Sequence, residues 1–209
     1  MKIISFEGIE GVGKSTQINL LQSYLEKQDF TVDVLREPGS TTSAEHIREI
    51  LLNKENDISK ETELLLMFAA RSDLINKRIH NNDSDFVLLD RYYDASIAYQ
   101  GYGRGIPLDF IENLIKLIQC PKPDVSFLFD LSVEDSFSRK KLDVKDRIES
   151  SGNSFFERVK NGYLEIAKNQ NERFHIIDAT KEINEIHNII KKVLELSLIH
   201  ISEPTRQHW

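Results

Sequence analysis

The feature that most constrains this chain is the segment GIEGVGKS, Gly8–Ser15, which satisfies the pattern G-x-x-x-x-G-K-[ST] at every specified position. It follows a short β-rich run, Lys2–Phe6, and precedes a stretch with helical spacing of apolar residues, Ser15–Glu26. In this order of strand, turn and helix, the N–H groups of the turn and the positive amino end of the helix face the same point and can bind an anion there. We therefore predict a phosphate-binding loop in which Lys14 reaches the phosphates of ATP and the Ser15 hydroxyl ligates Mg²⁺.

Every residue of this loop is a candidate for the nucleotide site, because backbone N–H groups do most of the binding. The candidates are Gly8, Ile9, Glu10, Gly11, Val12, Gly13, Lys14, Ser15 and Thr16.

The rest of the chain alternates between β-rich and helical patterns. Further β-rich runs lie at Thr31–Leu35, Phe86–Leu89, Val125–Phe129 and His175–Ile177. Helical spacing marks Ala44–Leu52, Lys60–Ile79, Leu108–Ile118, Phe155–Ala167 and Glu182–Leu196. This order predicts an α/β fold, with a five-stranded parallel sheet covered by helices on both faces, in one domain over residues 1–196. Ligands of such folds bind at the carboxyl ends of the strands.

Composition excludes several classes of protein. The 209 residues include 27 Lys and Arg and 34 Asp and Glu, so the net charge of −7 argues against coating a nucleic-acid backbone. The longest apolar run, Leu64–Ala70, has seven residues, whereas a membrane span needs about 18. The amino terminus has no signal-peptide pattern, and the one cysteine cannot form an internal disulfide. We expect a cytoplasmic protein without nucleic-acid or membrane partners.

A second motif follows the predicted strand Phe86–Leu89. Asp90 stands at the strand end beside the loop, where a carboxylate can hold Mg²⁺ or its waters together with Ser15. Arg91 can donate in a fork to a second phosphate. The chain has no N-K-x-D motif for guanine and is short for a motor or helicase, so these motifs favour a small kinase.

Four segments together resemble the bacterial thymidylate kinases, which belong to the phosphate-loop nucleoside monophosphate kinases. They are GIEGVGKST at Gly8–Thr16, REPGST at Arg36–Thr41, FAAR at Phe68–Arg71 and DRYYDASIAYQG at Asp90–Gly101. The resemblance runs from about residue 2 to about residue 194. It implies a homodimer that transfers the γ-phosphate of ATP to thymidine 5′-monophosphate, with a short mobile lid at about residues 139–153.

The resemblance also implies roles for individual residues. Glu10 is expected near the acceptor sugar and the arginine of the Asp-Arg pair, and Arg91 is expected to clamp the acceptor phosphate. Phe68 would stack on thymine while Arg71 hydrogen-bonds its carbonyl edge, and both leave one helix face. Without the resemblance, Phe68 would be interpreted simply as a core residue. The remaining implied contacts are Glu37 and Pro38 in an acceptor-site turn with a cis peptide, Ser96, Tyr99 and Gln100 around the base and deoxyribose, and Ala179 and Thr180 at the adenine.

The lid must supply the cation at the transferring phosphate, because the loop offers none beyond Lys14. The string Asp146–Glu149 matches the family, and Arg139 and several lysines precede it. We expect Arg147 first and Arg139 second to complete a catalytic set with Lys14, Arg91 and Glu10.

Three matters stay open at this level. Another nucleoside or nucleoside monophosphate kinase would use the same scaffold, and a regulatory nucleotide-binding protein without turnover is the alternative from another class. The run Leu64–Ala70 is apolar around more of its helix than one buried stripe requires, which favours a subunit interface. Residues 197–209 lose helical periodicity, so we expect a disordered or non-native tail.

Overall fold

The computed structural model describes residues 1–140 and 146–198. Within these residues, five strands form one sheet: β1 (Lys2–Glu7), β2 (Val32–Arg36), β3 (Phe86–Asp90), β4 (Val125–Asp130) and β5 (Phe174–Asp178). Their order is β2-β3-β1-β4-β5, and every pair of neighbours is parallel. The predicted sheet is therefore confirmed. Because β1 lies between β3 and β4, the connections after β1 and β3 lead to opposite sides of the sheet. A crevice therefore opens at the carboxyl end of β1.

Helices cover the sheet. They are α1 (Lys14–Glu26), α2 (Thr42–Leu52), α3 (Lys60–Leu74), α4 (Tyr93–Ser96), α5 (Leu108–Leu117), α6 (Val133–Arg139), α7 (Asn153–Asn169) and α8 (Ile183–Leu198). Wider π-helical turns continue α3 through Ile75–Ile79 and α4 through Ile97–Gly103. The sequence pattern predicts no helix at α6, because its seven residues are too few to show a helical period. The Ser132 hydroxyl caps this helix by accepting from the Asp135 amide at 3.0 Å.

Both faces of the sheet are buried, as the α/β prediction requires. Ile4 and Leu88 belong to the larger apolar core, whereas their neighbours Ile3 and Val87 belong to a second core. Successive strand residues point to opposite faces, so the two cores lie on opposite sides of the sheet.

Two helix starts follow from capping side chains. The Thr41 hydroxyl accepts from the Ala44 amide at 3.1 Å, so α2 begins two residues before the predicted Ala44. Ser59 accepts from the Thr62 amide at 3.1 Å and begins α3 at the predicted Lys60.

Parts of the predicted lid and tail lie outside the described residues. Of the lid at 139–153, residues 141–145 are not described, and of the tail at 197–209, only residues 197 and 198 are, as the end of α8. Among the described helices, none is both long enough and apolar enough to cross a bilayer.

Candidate active site

The phosphate-binding loop turns sharply between β1 and α1. Gly8 has a φ of +131°, and a Cβ there would lie 2.7 Å from the Phe129 carbonyl oxygen. Gly11 has a φ of +72°, and its Cβ would lie 2.5 Å from the Ser136 carbonyl oxygen. A side chain at either position would therefore displace backbone, so the loop requires glycine for both its conformation and its close contacts.

The Lys14 side chain folds back over this loop. Its Nζ donates to the carbonyl oxygens of Gly8 at 3.1 Å and Ile9 at 2.8 Å. Burial and the nearby Arg91 charge lower the pKa of Lys14 to about 8. Lys14 therefore lies in an environment that favours the arrival of negative charge.

Ser15 and Asp90 meet at the carboxyl end of β3. The Ser15 hydroxyl donates to Asp90 Oδ2 at 3.2 Å, so two hard oxygen ligands stand side by side. In the described ranges, no group of three or more acidic, histidine or cysteine side chains forms a protein-only metal cage. This donor set fits Mg²⁺, which takes one or two protein oxygens and completes its shell with phosphates and water.

Arg91 adopts a left-handed backbone conformation, with a φ of +68°. Its amide donates to the Phe6 carbonyl at 3.0 Å, and its guanidinium donates to the Gly8 carbonyl at 2.7 Å and to Glu10 Oε1 at 2.9 Å. Burial alone would lower the pKa of Arg91, but the neighbouring Tyr99 and Glu10 raise it well above its ordinary value. The strained backbone aims a permanent cation at the loop.

The Lys14 and Arg91 cations converge on one atom. Both donate to the Gly8 carbonyl oxygen, at 3.1 and 2.7 Å, so their nitrogens lie within about 6 Å of each other. Such a pair can grip two phosphates that face one another.

Glu10 connects Arg91 with Tyr99. The Tyr99 hydroxyl donates to the Glu10 carboxylate at 2.9 Å, and the Arg91 guanidinium lies 5.0 Å from the centre of the Tyr99 ring. The structure thus brings together three residues that the resemblance assigned to the acceptor side.

A second buried cation, Arg71, lies on α3. Its Nε donates to Glu37 Oε2 at 2.6 Å, and its Nη1 donates to the Ser96 hydroxyl at 3.1 Å. The Phe68 ring lies 4.7 Å from the Arg71 guanidinium and packs with Leu64 in a small apolar cluster. The buried Phe68 ring thus covers Arg71 and does not line the cavity, whereas the neighbouring Met67 does line it.

The turn after β2 has the expected cis peptide between Glu37 and Pro38. Ser40 adopts a φ of +70°, and its hydroxyl accepts from the Arg36 amide at 2.7 Å. Arg48 donates to the Pro38 carbonyl at 3.0 Å and so braces the turn from α2.

One cavity of about 450 Å³ joins the loop to the Arg71 region. The predicted residues that line it are Glu10, Gly11, Gly13, Lys14, Ser15, Thr16, Glu37, Pro38, Arg71, Asp90, Arg91, Ser96, Tyr99, Gln100 and Arg139. The predicted residues that do not line it are Gly8, Ile9, Val12, Phe68, Arg147, Ala179 and Thr180. Donor and acceptor candidates therefore share one space.

The predicted adenine residues follow β5. Ala179 is buried, and its carbonyl accepts from Arg139 Nη2 at 3.0 Å. Thr180 is exposed, and its hydroxyl donates to Asp178 at 2.6 Å. Arg139 thus links the start of the lid to the segment expected at the adenine.

In the second half of the lid, Asp146, Ile148 and Glu149 line the cavity, whereas Arg147 does not. Arg147 donates from Nη2 to Glu63 Oε2 at 2.7 Å and from Nε to the Leu51 carbonyl at 2.8 Å. Lys140 lines the cavity and pairs with Glu149. Arg147 reaches a transferring phosphate only if its guanidinium leaves Glu63.

The sequence model of the thymidylate kinase family matches residues 6–190. This chain belongs to the thymidylate kinase family. It is 46% identical over 202 residues to the thymidylate kinase of Chlorobaculum tepidum, covering 90% of this chain and 94% of that protein. It is 45% identical over 204 residues to that of Prosthecochloris aestuarii, covering 91% and 92%.

A solved structure supports the same assignment. The crystal structure of thymidylate kinase from Ehrlichia chaffeensis superposes with a TM-score of 0.76 at 34% identity, covering 93% of this chain and 98% of that one. The resemblance drawn from four motifs is confirmed, and so are the phosphate-loop α/β fold and the kinase class.

Three residues of the site region were missing from the sequence analysis or undecided in it. Glu7 ends β1 fully buried and accepts from the Tyr92 amide at 2.9 Å, directly after the strained Arg91. Glu63 is buried in the first turn of α3. An acidic residue directly beside an apolar run is the available signal for both, since Glu7 follows the first predicted strand and Glu63 precedes Leu64–Ala70. Arg48, on α2, also lines the cavity.

Proposed function

We propose that this chain transfers the γ-phosphoryl group of ATP to the 5′-phosphate of thymidine monophosphate, with Mg²⁺. The observation that carries the proposal is that Lys14 and Arg91 converge on the Gly8 carbonyl and that both line one cavity together with Arg71. A nucleotide kinase needs this arrangement, because two phosphate groups must be drawn together against their own repulsion.

The donor triphosphate would lie in the loop at the amino end of α1. Lys14 would exchange its two carbonyl partners for phosphate oxygens, and the backbone N–H groups would hold the rest. Ser15 and Asp90 would hold Mg²⁺, which neutralises the charge that develops on the phosphates. At the adenine, we propose the backbone of Ala179 and Thr180, after β5.

The acceptor would lie between Arg91 and Arg71. Arg91 would clamp its 5′-phosphate, with the fork held in place by Glu10 and by the Gly8 carbonyl. Arg71 is locked by Glu37, Ser96 and the Tyr92 carbonyl, so one N–H on each of Nη1 and Nη2 is left to meet a pyrimidine carbonyl. We place Tyr99 and Gln100 around the base and deoxyribose, and Pro38 in the turn beside them. Phe68 would stack on the base once its ring turns from the cluster with Leu64 into the cavity.

The lid would supply the last cation. Arg139 already lines the cavity, whereas Arg147 would have to exchange Glu63 for the transferring phosphate as the lid closes. Closure would also exclude water, which strengthens these charges and limits hydrolysis of ATP.

We also propose a homodimer of single-domain subunits. On α3, Leu65 is 58% exposed although Leu64 beside it is buried. On α5, Phe110 and Leu117 are 64% and 74% exposed. These helices therefore leave apolar side chains uncovered, as subunit interfaces do.

The decisive experiment is a steady-state assay with ATP and each common nucleoside monophosphate, and with free thymidine. We expect thymidine monophosphate to give the highest kcat/KM, and chelation of Mg²⁺ to abolish turnover. A preference for another monophosphate would favour the second kinase interpretation, and ATP binding without any phosphorylation would favour the regulatory one.

A further inference from the structure

Glu63 is the most heavily bonded carboxylate near the acceptor end of the cavity. It lies in the first turn of α3 with 1% of its surface exposed. Its Oε1 accepts from Gln100 Nε2 at 2.9 Å and from Arg104 Nε at 3.1 Å. Its Oε2 accepts from Arg104 Nη2 at 3.1 Å and from Arg147 Nη2 at 2.7 Å. This carboxylate thus joins α3, the π-helical turn after α4 and the end of the lid.

The Glu63 carboxyl is ionised at neutral pH. Burial by itself would raise its pKa, but hydrogen bonds from Arg104 and Gln100 outweigh burial and hold the pKa below its ordinary value. An ionised carboxylate has no proton to donate, so every group that bonds to Glu63 must do so as a donor.

This requirement fixes the orientation of the Gln100 amide. Geometry alone does not distinguish the oxygen of a glutamine amide from its nitrogen, but a neighbouring obligate acceptor does. The NH₂ group of Gln100 must face Glu63, and its carbonyl oxygen is left for the cavity that Gln100 lines. The cavity therefore receives a hydrogen-bond acceptor from Gln100, whereas Arg71 offers donors.

We propose that Glu63 is a specificity-determining positioning residue, which holds the Gln100 amide so that its carbonyl oxygen accepts the ring N–H of the acceptor base. The inference rests on the proposed function, because it takes the Gln100 side of the cavity as the base subsite. A thymine ring carries one N–H donor next to a carbonyl, which matches the acceptor of Gln100 beside the donors of Arg71. A ring without that N–H leaves the buried Gln100 oxygen unpaired, and such mismatches are rejected strongly.

The test compares two substrates in two proteins. The substrates are thymidine monophosphate and its 3-deaza analogue, in which a C–H group replaces the ring N–H in a planar ring of nearly the same size. The neighbouring C4 oxygen of the analogue is an enol hydroxyl, a change that both proteins meet alike. The proteins are the wild type and Glu63→Gln, whose amide accepts or donates and so lets Gln100 turn over. We expect the wild type to prefer the natural substrate in kcat/KM by roughly 10- to 100-fold, and Glu63→Gln to lose about tenfold of that preference.

Two further variants make the result interpretable. Glu61→Gln removes a charge from the same helix turn at an exposed position, and it should keep the wild-type preference. Glu63→Asp keeps the charge for Arg104 and Arg147 but withdraws the carboxylate from Gln100, so it replaces Glu63→Gln if that variant does not fold. It should lose preference in the same direction.

The outcomes separate cleanly. A purely structural role for Glu63 would lower kcat/KM for both substrates alike and leave the preference unchanged, which overturns the inference. No preference in the wild type, or an equal loss in Glu61→Gln, also overturns it. A wild type that does not phosphorylate thymidine monophosphate would refute the proposed function itself.

Discussion

The depressed pKa of Lys14 predicts how ATP use should depend on pH. Lys14 binds phosphate as a cation, and its pKa of about 8 in the empty site means that it loses this charge as the pH rises through that value. A lysine with its ordinary pKa of about 10.4 would instead stay mostly charged up to about pH 10. ATP recognition should therefore weaken as the pH rises above about 8, in a pH range where the protein should stay folded.

The size of the loss follows from the protonated fraction. With a pKa of about 8, about nine-tenths of Lys14 is protonated at pH 7 and about one-tenth at pH 9. Because kcat/KM reports the free enzyme, its value for ATP should fall about tenfold over this interval. The measurement is kcat/KM for ATP at an acceptor concentration well below its KM and at constant Mg²⁺, so that it reports the free enzyme, with circular dichroism to confirm folding at each pH.

Glu7 titrates in the same pH interval, so its effect on kcat/KM has to be distinguished from that of Lys14. Burial, with the repulsion of Asp94, raises the pKa of Glu7 to about 8, and its ionisation adds negative charge near the loop. Lys14→Arg distinguishes the two, because a guanidinium stays charged throughout. This variant should have a lower but flatter profile. A wild-type kcat/KM that stays constant from pH 7 to 9, or an equally steep fall in Lys14→Arg, would refute the reasoning about Lys14.

Three other predictions test the base site, the lid and the assembly. Phe68→Ala should weaken thymidine monophosphate binding by about 1–3 kcal/mol, the value of one base–aromatic stack, with little change for ATP; calorimetry showing equal losses would make Phe68 a core residue. Arg147→Ala should lower kcat by roughly 10²–10³-fold with little effect on nucleotide affinity, and Arg139→Ala should act in the same direction. Full turnover in both variants would remove the lid cations from the mechanism. Sedimentation at micromolar concentration should give the mass of two chains, and a monomer would contradict the interface on α3.

The sequence predicted the sheet well because its strands are short and mostly apolar. Phe86–Leu89 is buried on both faces, and only Asp90 had to be added to give β3. The helical period of Lys60–Ile79 was also correct in extent, although its last turn is π-helical. Nothing in an apolar pattern distinguishes a π turn from an α turn, because both keep the chain coiled along one axis.

The site was predictable where a motif specifies the backbone geometry. It was less predictable where the position of a side chain depends on an ion-pair partner far away in sequence. Lys14 and Arg91 lie where their motifs placed them, since a strand end and a tight loop leave few alternatives. Arg147 was expected at the phosphates, but its partner here is Glu63, 84 positions away in sequence. Such a pairing depends on how α3 packs against the lid, which the local pattern does not contain.

The acidic composition and the binding of two polyanions are compatible because carboxylates orient the cavity's arginines. Glu10 holds Arg91, and Glu37 holds Arg71, so each guanidinium is fixed before any nucleotide arrives. Lys14 differs, because in the described residues only backbone carbonyls accept from its ammonium group. Carboxylate partners raise the pKa of both arginines, whereas burial lowers that of Lys14. An incoming triphosphate therefore favours the charged form of Lys14 above neutral pH, while it finds the arginines already charged at every working pH. The pH dependence that these three cations give the site thus comes from the donor side.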